Sequence, residues 1–105
     1  MASNRIEILK TMVDHNPSDT FARYGLAMEH ANSGNLEEAV REYRALLEND
    51  ASYAAAYYHG GQALEKLGRL DEARQMYEKG IEITSRSGDV KTRNELEAAV
   101  ELLPL

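Results

Sequence analysis

The sequence predicts an all-α fold: a solenoid of stacked antiparallel helix pairs, with about six helices in all. Three observations carry that expectation. The passages "GNLEEAVREY" at Gly34–Tyr43 and "GRLDEARQMY" at Gly68–Tyr77 share one pattern, 34 positions apart. Apolar residues recur at spacings of three and four along most of the chain, the period of an amphipathic helix. Prolines are confined to Pro17 and Pro104, so none interrupts the helices between them.

The similarity extends beyond those passages. Placing Thr20–Tyr53 against Ala54–Ser87 gives identities at Ala22/Ala56, Tyr24/Tyr58, Gly34/Gly68, Leu36/Leu70, Glu38/Glu72, Ala39/Ala73, Tyr43/Tyr77 and Glu48/Glu82. Self-similarity at a fixed period marks a repeat architecture, in which no unit can hide its apolar faces alone.

Each element has its own justification. Residues 3–16 read as an N-terminal capping helix, with Ser3 or Asn4 as its cap and Ile6, Leu9, Met12 and Val13 as its buried stripe. The first repeat, 20–53, opens with a helix from Phe21 to about Ser33, which places Tyr24, Leu26, Ala27 and His30 or Ala31 at helical spacings. Gly34 stops it, since a left-handed residue costs least without a Cβ. A second helix, Leu36–Asn49, sets Leu36, Ala39, Val40, Tyr43, Leu46 and Leu47 on one side. The second repeat, 54–87, does the same from Ala54 to Leu67 and from Asp71 to about Thr84, around Gly68. Ala39 and Ala73 suit close helix crossings. Tyr43 and Tyr77 are expected to fill the space beside them, each hydroxyl reaching water or a polar partner. Residues 89–103 form the C-terminal capping helix, with Asp89 as cap, Leu96, Ala99, Val100 and Leu103 facing inward, and Pro104 as stop. Its stripe fits the repeat only after a slip of about two residues through "TSRSGD".

These residues resemble the tetratricopeptide repeats, whose 34-residue units prefer particular residues at positions 4, 7, 8, 11, 20, 24, 27 and 32. With Thr20 as position 1 the chain has Arg23, Leu26, Ala27, His30, Ala39, Tyr43, Leu46 and Ala51 there. With Ala54 as position 1 it has Tyr57, Gly60, Gly61, Leu64, Ala73, Tyr77, Gly80 and Ser85. The match is good at positions 8, 20 and 24. Arg23 and His30 depart from the usual apolar residues. The resemblance implies a right-handed stack whose first helices line a concave, peptide-binding face. The concave-face positions it implies hold Phe21, Tyr24, Met28, Ala31 and Asn32, then Ala55, Tyr58, Gln62, Glu65 and Lys66, and the peptide-binding residues expected among them are Phe21, Tyr24, Met28, Asn32, Tyr58, Gln62 and Lys66. One subset of the family grips a C-terminal carboxylate. Its clamp positions hold Tyr24, Met28 and His59 here, then Asp89 and Arg93, or Lys91 and Glu95 in the slipped register, so that clamp is disfavoured.

Composition narrows the function. With 105 residues the chain is one domain. Eighteen acidic residues against 12 basic give a net charge of −6, and the scattered Lys and Arg argue against nucleic acid while mildly favouring basic partners. No run approaches a membrane span or a signal peptide, which points to a soluble, cytoplasmic protein. Cysteine is absent, and His15, His30 and His59 are not at metal-ligand spacing. "YHGGQ" at Tyr58–Gln62 falls inside a helix rather than in a phosphate loop. No catalytic residue, metal or cofactor is expected, and the chain does not read as an enzyme. The expected role is a scaffold that binds a peptide or helix of a partner protein through Phe21, Tyr24, Met28 and Tyr58. The alternative is self-association as a homo-dimer, sealed by Leu102, Leu103 and Leu105 of the terminal "ELLPL".

Overall fold

Local signals at the helix ends set the frame. Asp19 caps one helix by accepting from the Ala22 N–H at 3.0 Å, and Asp89 caps another by accepting from Thr92 N–H at 3.1 Å. Gly34, Gly68 and Gly88 adopt φ of 83°, 78° and 78°, the left-handed region that ends a helix. Beyond the first two, Asn35 N–H donates to His30 O at 2.8 Å and Arg69 N–H to Leu64 O at 2.9 Å, so both turns close alike. A computed structural model describes residues 2–104, with helices α1 (Ala2–His15), α2 (Thr20–Asn32), α3 (Leu36–Asn49), α4 (Ala54–Lys66), α5 (Leu70–Ser87) and α6 (Val90–Leu102).

Each helix packs on the next in sequence, and α2 also touches α4, which touches α6. The helices α2, α4 and α6 therefore form an inner layer, with α1, α3 and α5 outside it. No matching contact links the outer helices among the described residues, so the inner layer is the more closely spaced and the stack curves toward it. The architecture is an all-α solenoid of helix pairs.

Its main core joins Ala27, Ala39, Val40, Tyr43, Leu46, Tyr57, Leu64, Ala73, Tyr77 and Leu96, drawn from five helices. A smaller cluster of Val13, Ala22 and Leu26, with Ile6 and Leu9 against it, holds α1 to α2. Ala39 and Ala73 are wholly enclosed, as helix crossings require. Arg23, in place of an apolar side chain, reaches Glu42 at 2.8 Å and the Pro17 carbonyl at 2.9 Å. A charged cleft of about 500 Å³ between α1, α2 and α3 opens beside it, with His30 in its wall.

Several expectations need correction. Helix α1 already runs at Ala2, so neither Ser3 nor Asn4 is its cap. Met12 is 45 % exposed rather than buried, because α1 packs on α2 alone and only the Ile6, Leu9 and Val13 stripe is covered. Helix α5 runs to Ser87, past Thr84, whose buried hydroxyl donates back to the Gly80 carbonyl at 2.8 Å. That extension explains the slip. Helix α4 starts 34 residues after α2 (54 − 20), whereas α6 starts 36 after α4 (90 − 54). The terminal leucines do not stand together: Leu103 is 4 % exposed, Leu102 is 82 % exposed, and Leu105 lies outside the described residues. Where α2 has Ala27 and α4 has Gly61, α6 has Glu97, exposed beside Arg93, so this end of the stack meets water through a charge. Among the described residues no helix is long and apolar enough to cross a membrane.

Candidate functional site

Each inner helix buries one stripe against the outer layer and leaves another on the concave face. On α2 that second stripe includes Tyr24, Met28 and Asn32, on α4 Tyr58, Gln62 and Lys66, and on α6 Glu95, Ala98 and Leu102, all at helical spacings. Aromatic rings run through it. The Tyr24 ring lies 5.2 Å from Tyr53, 6.2 Å from Tyr43 and 5.9 Å from His59, between centroids. His59 lies 5.3 Å from Tyr58, which is 6.4 Å from Tyr77. Tyr24 and Tyr58, expected side by side, are thus joined through an imidazole between them. Burial lowers the His59 pKa, opposed by a Gln62 hydrogen bond and the Glu95 charge, so at neutral pH the ring is uncharged. Burial, and then the neighbouring Tyr53, raises the pKa of the Tyr24 phenol, which stays a neutral donor.

Two pockets between the inner helices open on this face, and a further depression of about 220 Å³ lies over Gln62, Glu65 and Lys66 of α4. The first, about 210 Å³, is lined by Met28, Ala31, Asn32, Leu36, Tyr43, His59, Gln62, Ala63 and Lys66. The second, about 280 Å³, is lined by Tyr58, Gln62, Glu65, Tyr77, Glu95, Ala98, Ala99 and Leu102. They are equivalent places in successive repeats. Met28, Ala31 and Tyr43 correspond to Gln62, Glu65 and Tyr77 at an offset of 34, and His59, Gln62, Ala63 and Lys66 to Glu95, Ala98, Ala99 and Leu102 at 36. Gln62 belongs to both and forms the ridge between them. The tyrosine of each wall is held differently. Tyr43 donates its hydroxyl to the Met28 Sδ at 3.0 Å, whereas Tyr77 donates to the Glu65 carboxylate. Burial and the Glu65 carboxylate hold the Tyr77 pKa far above its usual value, so this proton stays on the phenol.

The sequence profile of the tetratricopeptide repeat family matches residues 24–87, more than half of the chain. The chain belongs to the tetratricopeptide repeat family. Similar solved structures include the tetratricopeptide repeat domain protein from Salinibacter ruber, 39 % identical with a TM-score of 0.75, over 81 % of this chain and 86 % of that one. YrrB, described as a TPR protein with an unusual peptide-binding site, is 28 % identical with a TM-score of 0.84, over 96 % of this chain and 49 % of its own. PcrH, solved in complex with the chaperone binding region of PopD, shares the fold at a TM-score of 0.89 and 17 % identity, over 95 % of this chain and 76 % of its own.

Within this tetratricopeptide repeat stack the concave-face residues implied by the sequence fall into separate groups. Met28, Asn32, Gln62 and Lys66 come together around the first pocket, Tyr58 and Gln62 around the second, and Tyr24 stands in the aromatic wall. Phe21 is 79 % exposed at the first turn of α2 and lines neither pocket. His59, Glu95 and Leu102 were not among the expected binding residues, although they line the same face, and Glu65 was expected on that face but not as a binding residue. His59 stands at a position named above for the carboxylate clamp and Glu65 at a concave-face position seven residues beyond Tyr58, so the repeat pattern carries a signal for both. Leu102 lies seven residues beyond Glu95, and the start of α6 at Val90 fixes the slip of about two residues that the sequence suggested. That start puts Lys91 and Glu95 at the last two clamp positions, and a carboxylate at Glu95 repels a bound carboxylate. The larger cleft on α1, α2 and α3 is less suited to a ligand, since Arg23, its most enclosed charge, is already engaged.

Proposed function

We propose that this protein is an interaction scaffold that holds a segment of a partner protein along its concave face, across Tyr24, Met28, Asn32, Tyr58, Gln62 and Lys66. The observation that carries the proposal is the pair of repeat-equivalent pockets on either side of Gln62. A chain laid along the inner layer meets one pocket per repeat, and the Gln62 amide offers both a donor and an acceptor to its backbone between them. Tyr24 and Tyr58 supply rigid contact area at low entropic cost, and Met28 supplies an adaptable surface. Exposed Phe21, at the rim, extends that surface at the N-terminal end of α2. The peptide-binding site reported for YrrB and the PopD segment bound to PcrH support the same use of the fold.

The test uses a displayed library of random decapeptides selected on the immobilised protein, followed by calorimetric titration of an enriched peptide. Gln62→Ala and Tyr24→Ala are expected to weaken binding about tenfold each, the scale of a central contact residue. Thermal melts of both variants check that the fold is intact. Unchanged affinity in folded variants would remove the concave face from the account.

A further inference from the structure

The two pockets are equivalent in position but opposite in electrostatic character. In the first, the residues that set the chemistry are Met28, Ala31, His59 and Lys66; in the second, the same places hold Gln62, Glu65, Glu95 and Leu102. The first therefore sets Met28, Ala31, Leu36 and Ala63 beside a neutral imidazole, the Asn32 and Gln62 amides and one ammonium, with no carboxylate. The second has two carboxylates and an apolar rim.

We propose, building on the groove as the binding face, that its occupant is an extended segment with an apolar side chain in the first pocket and a lysine or arginine in the second. Four observations favour this occupant. Glu65 is pre-oriented, because the Tyr77 hydroxyl donates to its carboxylate while leaving other lone pairs free for an incoming cation. Glu95 on the neighbouring inner helix lines the same pocket, so a cation there meets carboxylates from α4 and α6 together. Ala98, Ala99 and Leu102 offer apolar surface to the methylene stem of a long basic side chain, and the Tyr58 ring lines the same pocket. Lys66 at the first pocket repels a basic residue there, which sets the register of the segment by charge alone. The net charge of −6 steers the same class of partner toward the molecule.

Spacing follows from the fold. Neighbouring helix axes lie roughly 8–10 Å apart, and an extended chain advances about 3.3–3.6 Å per residue, so the two anchors are about three residues apart. The partner signature is an apolar residue and a basic residue separated by two others.

The random decapeptide library distinguishes this proposal from the groove reading on which it rests. Wild-type protein is expected to enrich peptides with Lys or Arg about three positions from an apolar residue. The Glu65→Gln/Glu95→Gln variant, whose amide oxygen at the first of these positions can still accept from Tyr77, is expected to lose that enrichment. It is also expected to bind the wild-type winners about tenfold more weakly, as two partly exposed ion pairs allow. Enriched peptides without a basic residue, or equal affinity for the double variant, overturn the charge assignment while the loss caused by Gln62→Ala still upholds the groove. Binding that survives both Gln62→Ala and the double substitution overturns the two together.

Discussion

Two adjacent glycines of α4, Gly60 and Gly61, give the sharpest test of how the repeats pack. Both lie in mid-helix, where Gly→Ala ordinarily stabilises by about 0.8–1.0 kcal/mol through backbone entropy and propensity. Their surroundings differ. A Cβ on Gly60 would lie 3.3 Å from the Met76 Cε and 3.4 Å from the Tyr43 Cβ, a tight fit against a flexible thioether. A Cβ on Gly61 would lie 2.6 Å from Cδ1 and 2.7 Å from Cζ of Tyr77, and closer still to Cε1. That ring is wholly buried and anchored to Glu65, so it cannot move away freely. Overpacking costs roughly 1–3 kcal/mol, and pulling the phenol from its carboxylate about 1.5–3 kcal/mol more if the ring swings out. Against the propensity gain, Gly61→Ala is expected to destabilise by about 2 kcal/mol, while Gly60→Ala stays near neutral. For a domain of this size the first corresponds to a fall of about 8–16 °C in Tm, measured by circular dichroism. The cost should vanish when the ring is removed: in a Tyr77→Leu background, adding Gly61→Ala should cost nothing further, a coupling visible in a double-mutant cycle. A Gly61→Ala protein that melts at or above the wild-type temperature would refute the close approach of Tyr77 to the α4 backbone.

Three other perturbations test separate parts of the fold. Ala73→Leu, and equally Ala39→Leu, should overpack a fully enclosed helix crossing and cost roughly 1–3 kcal/mol in urea unfolding. Asp19→Ala removes the acceptor of the Ala22 N–H and should cost about 0.5–2 kcal/mol, whereas Asp19→Asn should recover most of it. His59 is held below its ordinary value of 6.5, chiefly by burial, so the folded state binds its proton less readily than the unfolded chain. Its contribution is therefore complete above pH 6.5 and declines as pH falls from there toward the folded-state value. The Tm advantage of wild type over His59→Gln should shrink between about pH 7.5 and pH 5, and an advantage that grows on acidification would contradict the neutral imidazole.

Much of the fold was legible because its determinants are local. The left-handed glycines at Gly34 and Gly68, the Asp89 cap and the apolar stripe of α3 depend on residues within one or two turns. Enclosure of Ala39, Ala73, Tyr43 and Tyr77 followed from their recurrence at one period. Less was legible at the ends. Met12 has the right spacing for burial, but spacing says nothing of whether a neighbouring helix is present to cover it. The length of α5 was missed because "SRS" carries no stop signal, and the helix continues until Gly88 turns it.

The sequence by itself determined a repeated two-helix unit, the turns that separate its helices and the side chains that meet inside each unit. These are consequences of a 3.6-residue period and of backbone sterics. Only the tertiary structure decided what faces what between units. The extension of α5 to Ser87 fixes the two-residue slip, which sets Glu95 and Leu102 in one pocket with Tyr58 and Glu65 and makes the second pocket acidic where the first carries an ammonium. His59 became the link between Tyr24 and Tyr58 through the packing of α4 beside α2. Contacts across the inner layer depend on the relative phase of separate helices, and that phase is set when their cores pack, not by any one helix alone.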